Sequence, residues 1–181
     1  MARIKSAWEI ALEKAKNMEV TPEELQKQRE ERCQLTGTAV ADKFLSSFDL
    51  RELKDDLNKQ GEEKKLVAKA VVNRLLEVLK LGDYEKMEKI TEGIFQVSGN
   101  EKIKEAKGRF YILFDSYYDV LRREIKEIEI TGRKILGRLG ISGEAIQVIN
   151  PEINKEWRQS LKTVTQPYEK EFALYKQELL S

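Results

Sequence analysis

The residues best suited to chemistry lie between 131 and 143, in the run TGRKILGRLGISG. This run combines Arg133, Lys134 and Arg138 with glycines at 132, 137, 140 and 143. Guanidinium and ammonium groups beside exposed backbone amides can hold a phosphate or an RNA backbone. Arg122, Arg123 and Lys126 make the preceding turns basic too. The spacing is not that of a phosphate-binding loop, because no Gly-Lys-Ser/Thr follows and no strand precedes. The same residues have a structural use. Gly132 and Gly137 would let another helix approach, Gly140 would end a helix, and cations near a helix C-terminus complement its dipole. Just upstream, Phe110, Tyr111, Phe114, Tyr117 and Tyr118 could stack on bases. Their helical spacing favours packing on a partner helix instead. The structural reading is preferred for both groups.

Carboxylates are the second candidates. Asp115 and Asp119 stand one helical turn apart and could share a divalent cation with a third ligand. All-α nucleotide pyrophosphatases of the MazG type bind magnesium on acidic helix residues and need no histidine. They carry Glu-x-x-Glu followed within a few turns by Glu-x-x-Asp. Glu85-x-x-Glu88 and Glu124-x-x-Glu127 are similar to the first half of that pattern, but neither is followed by the second. The only Glu-x-x-Asp, Glu52 to Asp55, precedes both. The resemblance fails at its defining residues, and these carboxylates read as the solvated backs of helices.

Composition narrows the chemistry further. The 181 residues include no histidine, which removes the usual base near neutral pH and the commonest metal ligand. Ser-His-Asp and Cys-His catalysis are excluded with it. Cys33 is the only cysteine, so no internal disulfide forms and a reducing compartment is expected. Arg29 and Arg32 near it could lower its pKa, yet a lone thiol without histidine makes a poor catalyst. A net charge of +1 creates no global field toward nucleic acid or anionic lipid. The first residues reach a charge too early for a signal peptide, and no run approaches the length of a membrane span. No cofactor, metal or membrane contact is expected, nucleic acid is not the favoured partner, and the setting is cytoplasmic.

The elements that must position these residues are helices. Charged residues make up 36% of the chain against 40% hydrophobic, and three prolines interrupt it; that balance suits long helices with solvated backs. Tyr111, Phe114, Tyr118, Leu121, Ile125, Ile128, Gly132, Ile135 and Leu139 follow at steps of three and four, one stripe of a single helix over about 101–139. Ile153, Trp157, Leu161, Val164, Tyr168, Phe172, Tyr175 and Leu179 form a second stripe over 151–180, capped at Asn150-Pro151 and in phase across Pro167. A short connection makes the two antiparallel.

Upstream, Ile4, Trp8, Ala11, Leu12 and Ala15 give a helix over 3–17. Thr21-Pro22-Glu23-Glu24 starts another, with a capping box and a first-turn proline, and 36–38 reads as a break. Asp49 caps a short helix to Gly61. Residues 62–81 are the central buried helix, ended by Gly82, and Asp83 starts the next, which runs to a turn at 98–100. Residues 142–149 suit a short helix. The expected fold is all-α, an elongated bundle in one domain over 1–181, with peripheral helices over 1–60, buried ones over 61–98 and a long hairpin over 99–181.

The opening Arg3-Ile4-Lys5-Ser6-Ala7-Trp8-Glu9-Ile10-Ala11-Leu12-Glu13-Lys14 resembles the N-terminus of a family of short, uncharacterised bacterial helical proteins. The resemblance implies a bacterial cytosolic setting and brings no activity or ligand. The expected function is a non-enzymatic protein-protein interaction or scaffold protein that binds a protein partner or itself, as a dimer for instance. Its helix interface would be Phe114, Tyr118, Leu121, Ile125, Ile128, Ile135 and Leu139, with coiled-coil spacing. The alternatives are an RNA- or phosphate-binding module using Arg133, Lys134 and Arg138, and a magnesium-dependent carboxylate hydrolase.

Overall fold

The computed structural model describes residues 21–141 and 149–180. The helix expected over 3–17, with the motif that carries the resemblance, and all but the last residue of the one expected over 142–149 lie outside this range. Among the described residues the chain is all-α, without strands. The helices are α1 Pro22–Ser47, α2 Leu50–Asn58, α3 Lys64–Val78, α4 Tyr84–Ser98, α5 Lys102–Arg138 and α6 Lys155–Glu178. Single 3-10 turns, Gly61–Glu63 and Pro151–Ile153, precede α3 and α6.

Local chemistry sets most of the ends. Thr21 closes the capping box on α1: its hydroxyl accepts from the Glu24 amide at 3.2 Å and its amide donates to the Glu24 carboxylate at 2.9 Å. Asp49 caps α2 and Asp83 caps α4 through the same kind of side-chain acceptor. Gly99 ends α4 in the left-handed conformation that glycine adopts without strain.

Three boundaries differ from those the sequence suggests. Residues 36–38 do not break a helix, because α1 runs through them. Gly37 is buried against α3 there, where a Cβ would overlap the Ala70 methyl; the glycine serves a close helix crossing. The central helix stops at Val78, with Leu79 extended at the C-cap, and Gly82 sits later in the turn at a φ of +85°. Leu79 turns into the core rather than continuing the helix. Asn150 caps only the 3-10 turn, and Asn154 caps α6 by accepting from the Glu156 and Trp157 amides. Ile153, placed first on the second stripe, therefore lies outside the helix and is 78% exposed.

The body forms around α3, whose Val67, Val71, Leu75 and Leu76 are buried. α1 runs parallel to it, with Arg32 meeting Glu63, Gly37 meeting Val67 and Asp42 meeting Arg74 in succession. α1 brings Cys33, Val40, Ala41 and Phe44 into the core, α2 brings Leu53 and Leu57, and α4 brings Met87, Ile90 and Ile94. The Phe44 ring lies so close to Gly93 that a Cβ there would fall 2.6 Å from its edge.

The long antiparallel pair is present. Reading along α5, Arg109 pairs with Glu178, Phe114 packs on Phe172, Tyr117 on Tyr168, Glu124 meets Ser160 and Gly132 meets Trp157. α6 stays one helix across Pro167, although proline removes a backbone donor. The Ser160 contact with Glu124 before the proline, and the packing of Tyr168 and Phe172 after it, hold both sides on α5 in register. At 37 residues α5 spans about 55 Å. A compact ball of this chain length would be about 40 Å across, so the helix outreaches the body.

Candidate functional site

The stripe on α5 divides into two halves with different surroundings. The first half, from Ile103 to Phe114, is sealed between α4 and α6. Ile103, Ala106, Phe110, Leu113 and Phe114 are buried, Phe114 with no exposed surface. Aromatic edges and faces fill this zone: Phe110 and Phe114 meet Phe172, and Tyr84 of α4 packs on Tyr111, Phe114 and Tyr118. Tyr118 stacks on Tyr84, and its hydroxyl donates to the Gly82 carbonyl at 2.9 Å. That is where α4 begins, because Asp83 is its N-cap.

From Leu121 onward the described neighbours of the stripe are α6 and Ile149. Leu121 and Ile125 are half-buried, and Ile128 is buried. Gly132 is buried under Ile149 and Trp157, so its missing side chain admits them. Past Gly132 the stripe emerges: Ile135 is 45% and Leu139 70% exposed. The expected interface residues are therefore not equivalent. Phe114 and Ile128 are committed to the interior, Tyr118 is engaged by Tyr84 and the Gly82 carbonyl, Leu121 and Ile125 are partly available, and Ile135 and Leu139 face outward.

Arg133, Lys134 and Arg138 are exposed on the same distal half of α5. α5 ends at Arg138, and Gly140 follows at a φ of +78°. Gly137, unlike Gly132, has open space around its Cα, so it is not a contact glycine. Arg122, Arg123, Lys126, Arg133, Lys134 and Arg138 outnumber the four carboxylates between 119 and 139 by two. Lys155, Arg158 and Lys162 against Glu156 add two more positive charges from the facing half of α6. Glu144 and Glu152 in the connection offset half of this, so residues 119–162 carry +2, while the whole chain carries +1.

The candidate metal ligands are dispersed. Asp115 accepts a hydrogen bond from Tyr84, Asp119 pairs with Arg122, Glu85 with Lys89, and Glu88 accepts from Tyr111. Glu124 accepts from Ser160. Among the described residues no three acidic or thiol groups converge as metal ligands, and no helix is long and apolar enough to cross a membrane.

Titratable groups in the body follow from their surroundings. Burial pushes the Tyr84 phenol up to about 12, helped by its bond to the Asp115 carboxylate. Burial also raises the Cys33 thiol, and the Glu63 carboxylate beside it raises it further against the opposing pull of Arg32 and Arg29. The thiol is held protonated rather than activated. Two relationships escaped the sequence: Ile149 and Trp157 converging on Gly132, and the Lys176 ammonium donating to the Leu79 carbonyl at 3.1 Å, at the end of α3. Both join residues far apart in the chain, where helical periodicity carries no information.

No protein-family model, no curated protein and no solved structure matches the chain.

Proposed function

We propose that this is a non-enzymatic helical interaction protein, a scaffold element whose contact face is the distal half of the α5–α6 hairpin. The body anchors the hairpin, and the hairpin presents apolar side chains to a helix of another protein or of a second copy. One observation carries this reading. The α5 stripe continues beyond Tyr118, the last residue that Tyr84 of α4 covers, and reaches Leu139 with 70% of that residue open. Neighbouring apolar side chains left open at the tip, Ile135, Leu139 and Ile141, suit an interaction site. A cytoplasmic setting fits the single, buried cysteine.

The test uses a fluorescent three-heptad peptide with Leu and Ile at the seam positions and uncharged residues elsewhere, together with light scattering on the protein alone. The expected result is peptide binding or a mass that rises with concentration, either one abolished by Ile135→Glu with Leu139→Glu. A protein that stays monomeric and ignores the peptide would overturn the reading.

The positive charge of the hairpin favours a second reading, an RNA- or phosphate-binding module centred on Arg133, Lys134 and Arg138. Binding of a uridine oligonucleotide that weakens steeply with salt, and is lost on reversing Lys134 and Arg138, would support it over the first.

A further inference from the structure

We propose that the distal flank of α5 takes an acidic amphipathic helix of another protein, lying where α4 would continue if it were longer. This rests on the interaction reading above and names the partner's chemistry. α4 packs on the flank of α5 that carries Tyr111, Asp115 and Tyr118, through Tyr84. Steps of three, four and seven residues carry that same flank forward. It continues through Arg122, Ile125, Lys126, Glu129, Arg133 and Leu136.

Tyr118 sits beside Tyr84 at the edge of α4, and beyond it the apolar members of this strip, Ile125 and Leu136, are half-buried. They are spaced to meet a helix seam. Three of the four charged members are cationic. The Arg122 side chain is 79% exposed, and its described partner is Asp119, itself well exposed and 3.5 Å away; an exposed pair of this kind is weak and exchangeable. A helix lying here would bury the seam and set its own flanking residues beside Arg122 and Lys126. Carboxylates satisfy those positions, and ammonium groups are repelled. The net positive charge of this half of the hairpin, +2 over residues 119–162, opposes pairing with the same hairpin of a second copy and favours a foreign acidic helix.

The experiment compares two three-heptad peptides with identical Leu and Ile seams, one flanked by Glu and one by Lys. Anisotropy is read at low and at high salt, beside a uridine oligonucleotide and light scattering of the protein alone. The Glu peptide should bind at least about tenfold more tightly at low salt, with the margin shrinking as salt rises. Arg122→Glu with Lys126→Glu should reverse the preference while the melting temperature stays unchanged. Equal affinity for the two peptides overturns the proposal. So does oligonucleotide binding without Glu-peptide binding, or self-association that blocks the peptide. If the uncharged peptide binds and is lost with Ile135→Glu and Leu139→Glu, but the Glu peptide has no advantage, the interaction reading stands and this inference alone falls.

Discussion

Gly37 of α1 crosses α3 so closely that a Cβ on it would lie 2.8 Å from the carbonyl oxygen of Val67. The obstacle is backbone, which cannot swing aside as a side chain can. This crossing sets α1 against the central helix and brings Cys33, Val40 and Phe44 into the core. The body that anchors the hairpin depends on it.

Replacing Gly37 with Ala should therefore destabilise the fold by about 1–3 kcal/mol, through forced separation of the two helices. Gly108, inside α5, is the control. Nothing lies within 4 Å of its absent Cβ, so Gly108→Ala should stabilise by about 0.5–1 kcal/mol through helix propensity alone. Urea unfolding of the two variants beside the parent reads both signs.

The two halves of the α5 stripe should differ in their value to folding. Phe114 is fully enclosed by Tyr84, Phe110 and Phe172, and Phe114→Ala should cost about 3–5 kcal/mol. Leu139→Ala removes an exposed side chain and should stay within about 0.5 kcal/mol of the parent. Thermal melts distinguish them, and a large loss at Leu139 would mean that the distal stripe is already covered.

Tyrosine ionisation reports the body independently. Of the six tyrosines, Tyr84, Tyr111, Tyr117 and Tyr175 have raised pKa values. Burial leads for Tyr84 and Tyr117, and hydrogen bonds to Glu88 and Glu171 lead for Tyr111 and Tyr175. A folded-state pKa above the unfolded one stabilises fully below the unfolded value and is lost as pH rises through the folded one. For Tyr84 that window runs from 10.0 to about 12. Phenolate absorbance in the native protein should lag well behind that of the urea-unfolded chain, and stability should fall across the same interval.

Acid should act with the opposite sign. Hydrogen bonds from Lys43 and Lys59 depress the Asp56 pKa, and the bond from Arg32 depresses that of Glu63. Their contributions are complete above the unfolded values of 3.8 and 4.5 and fade as pH drops through the lowered folded values. Asp56→Asn should flatten the acid limb of a stability-pH profile, and also the limb above pH 10.5, because the Asp56 carboxylate holds the Lys43 pKa up.

Much of the fold was legible because helices write their packing into periodicity. The capping box at Thr21, the caps at Asp49 and Asp83, the turn at Gly99 and the paired stripes of α5 and α6 all rest on local rules. Glycine was the weak point, since one residue type serves opposite purposes. Gly37 looked like a break and is a crossing, whereas Gly82 looked like a cap and lies beyond the helix end. The stripe itself carried the expected interface residues, but its spacing could not separate Phe114, sealed by α4, from Leu139, left open. That difference depends on where α4 begins beside α5, which is a tertiary fact.

Amide hydrogen exchange along α5, with and without the Glu-flanked peptide, tests the central claim most directly. Amides 121–138 should exchange at least about tenfold faster than 103–118 in the free protein, because fewer neighbours support them, and should slow when the peptide is present. Equal protection of both halves in the free protein, unchanged by the peptide, would contradict an open docking face on the distal hairpin.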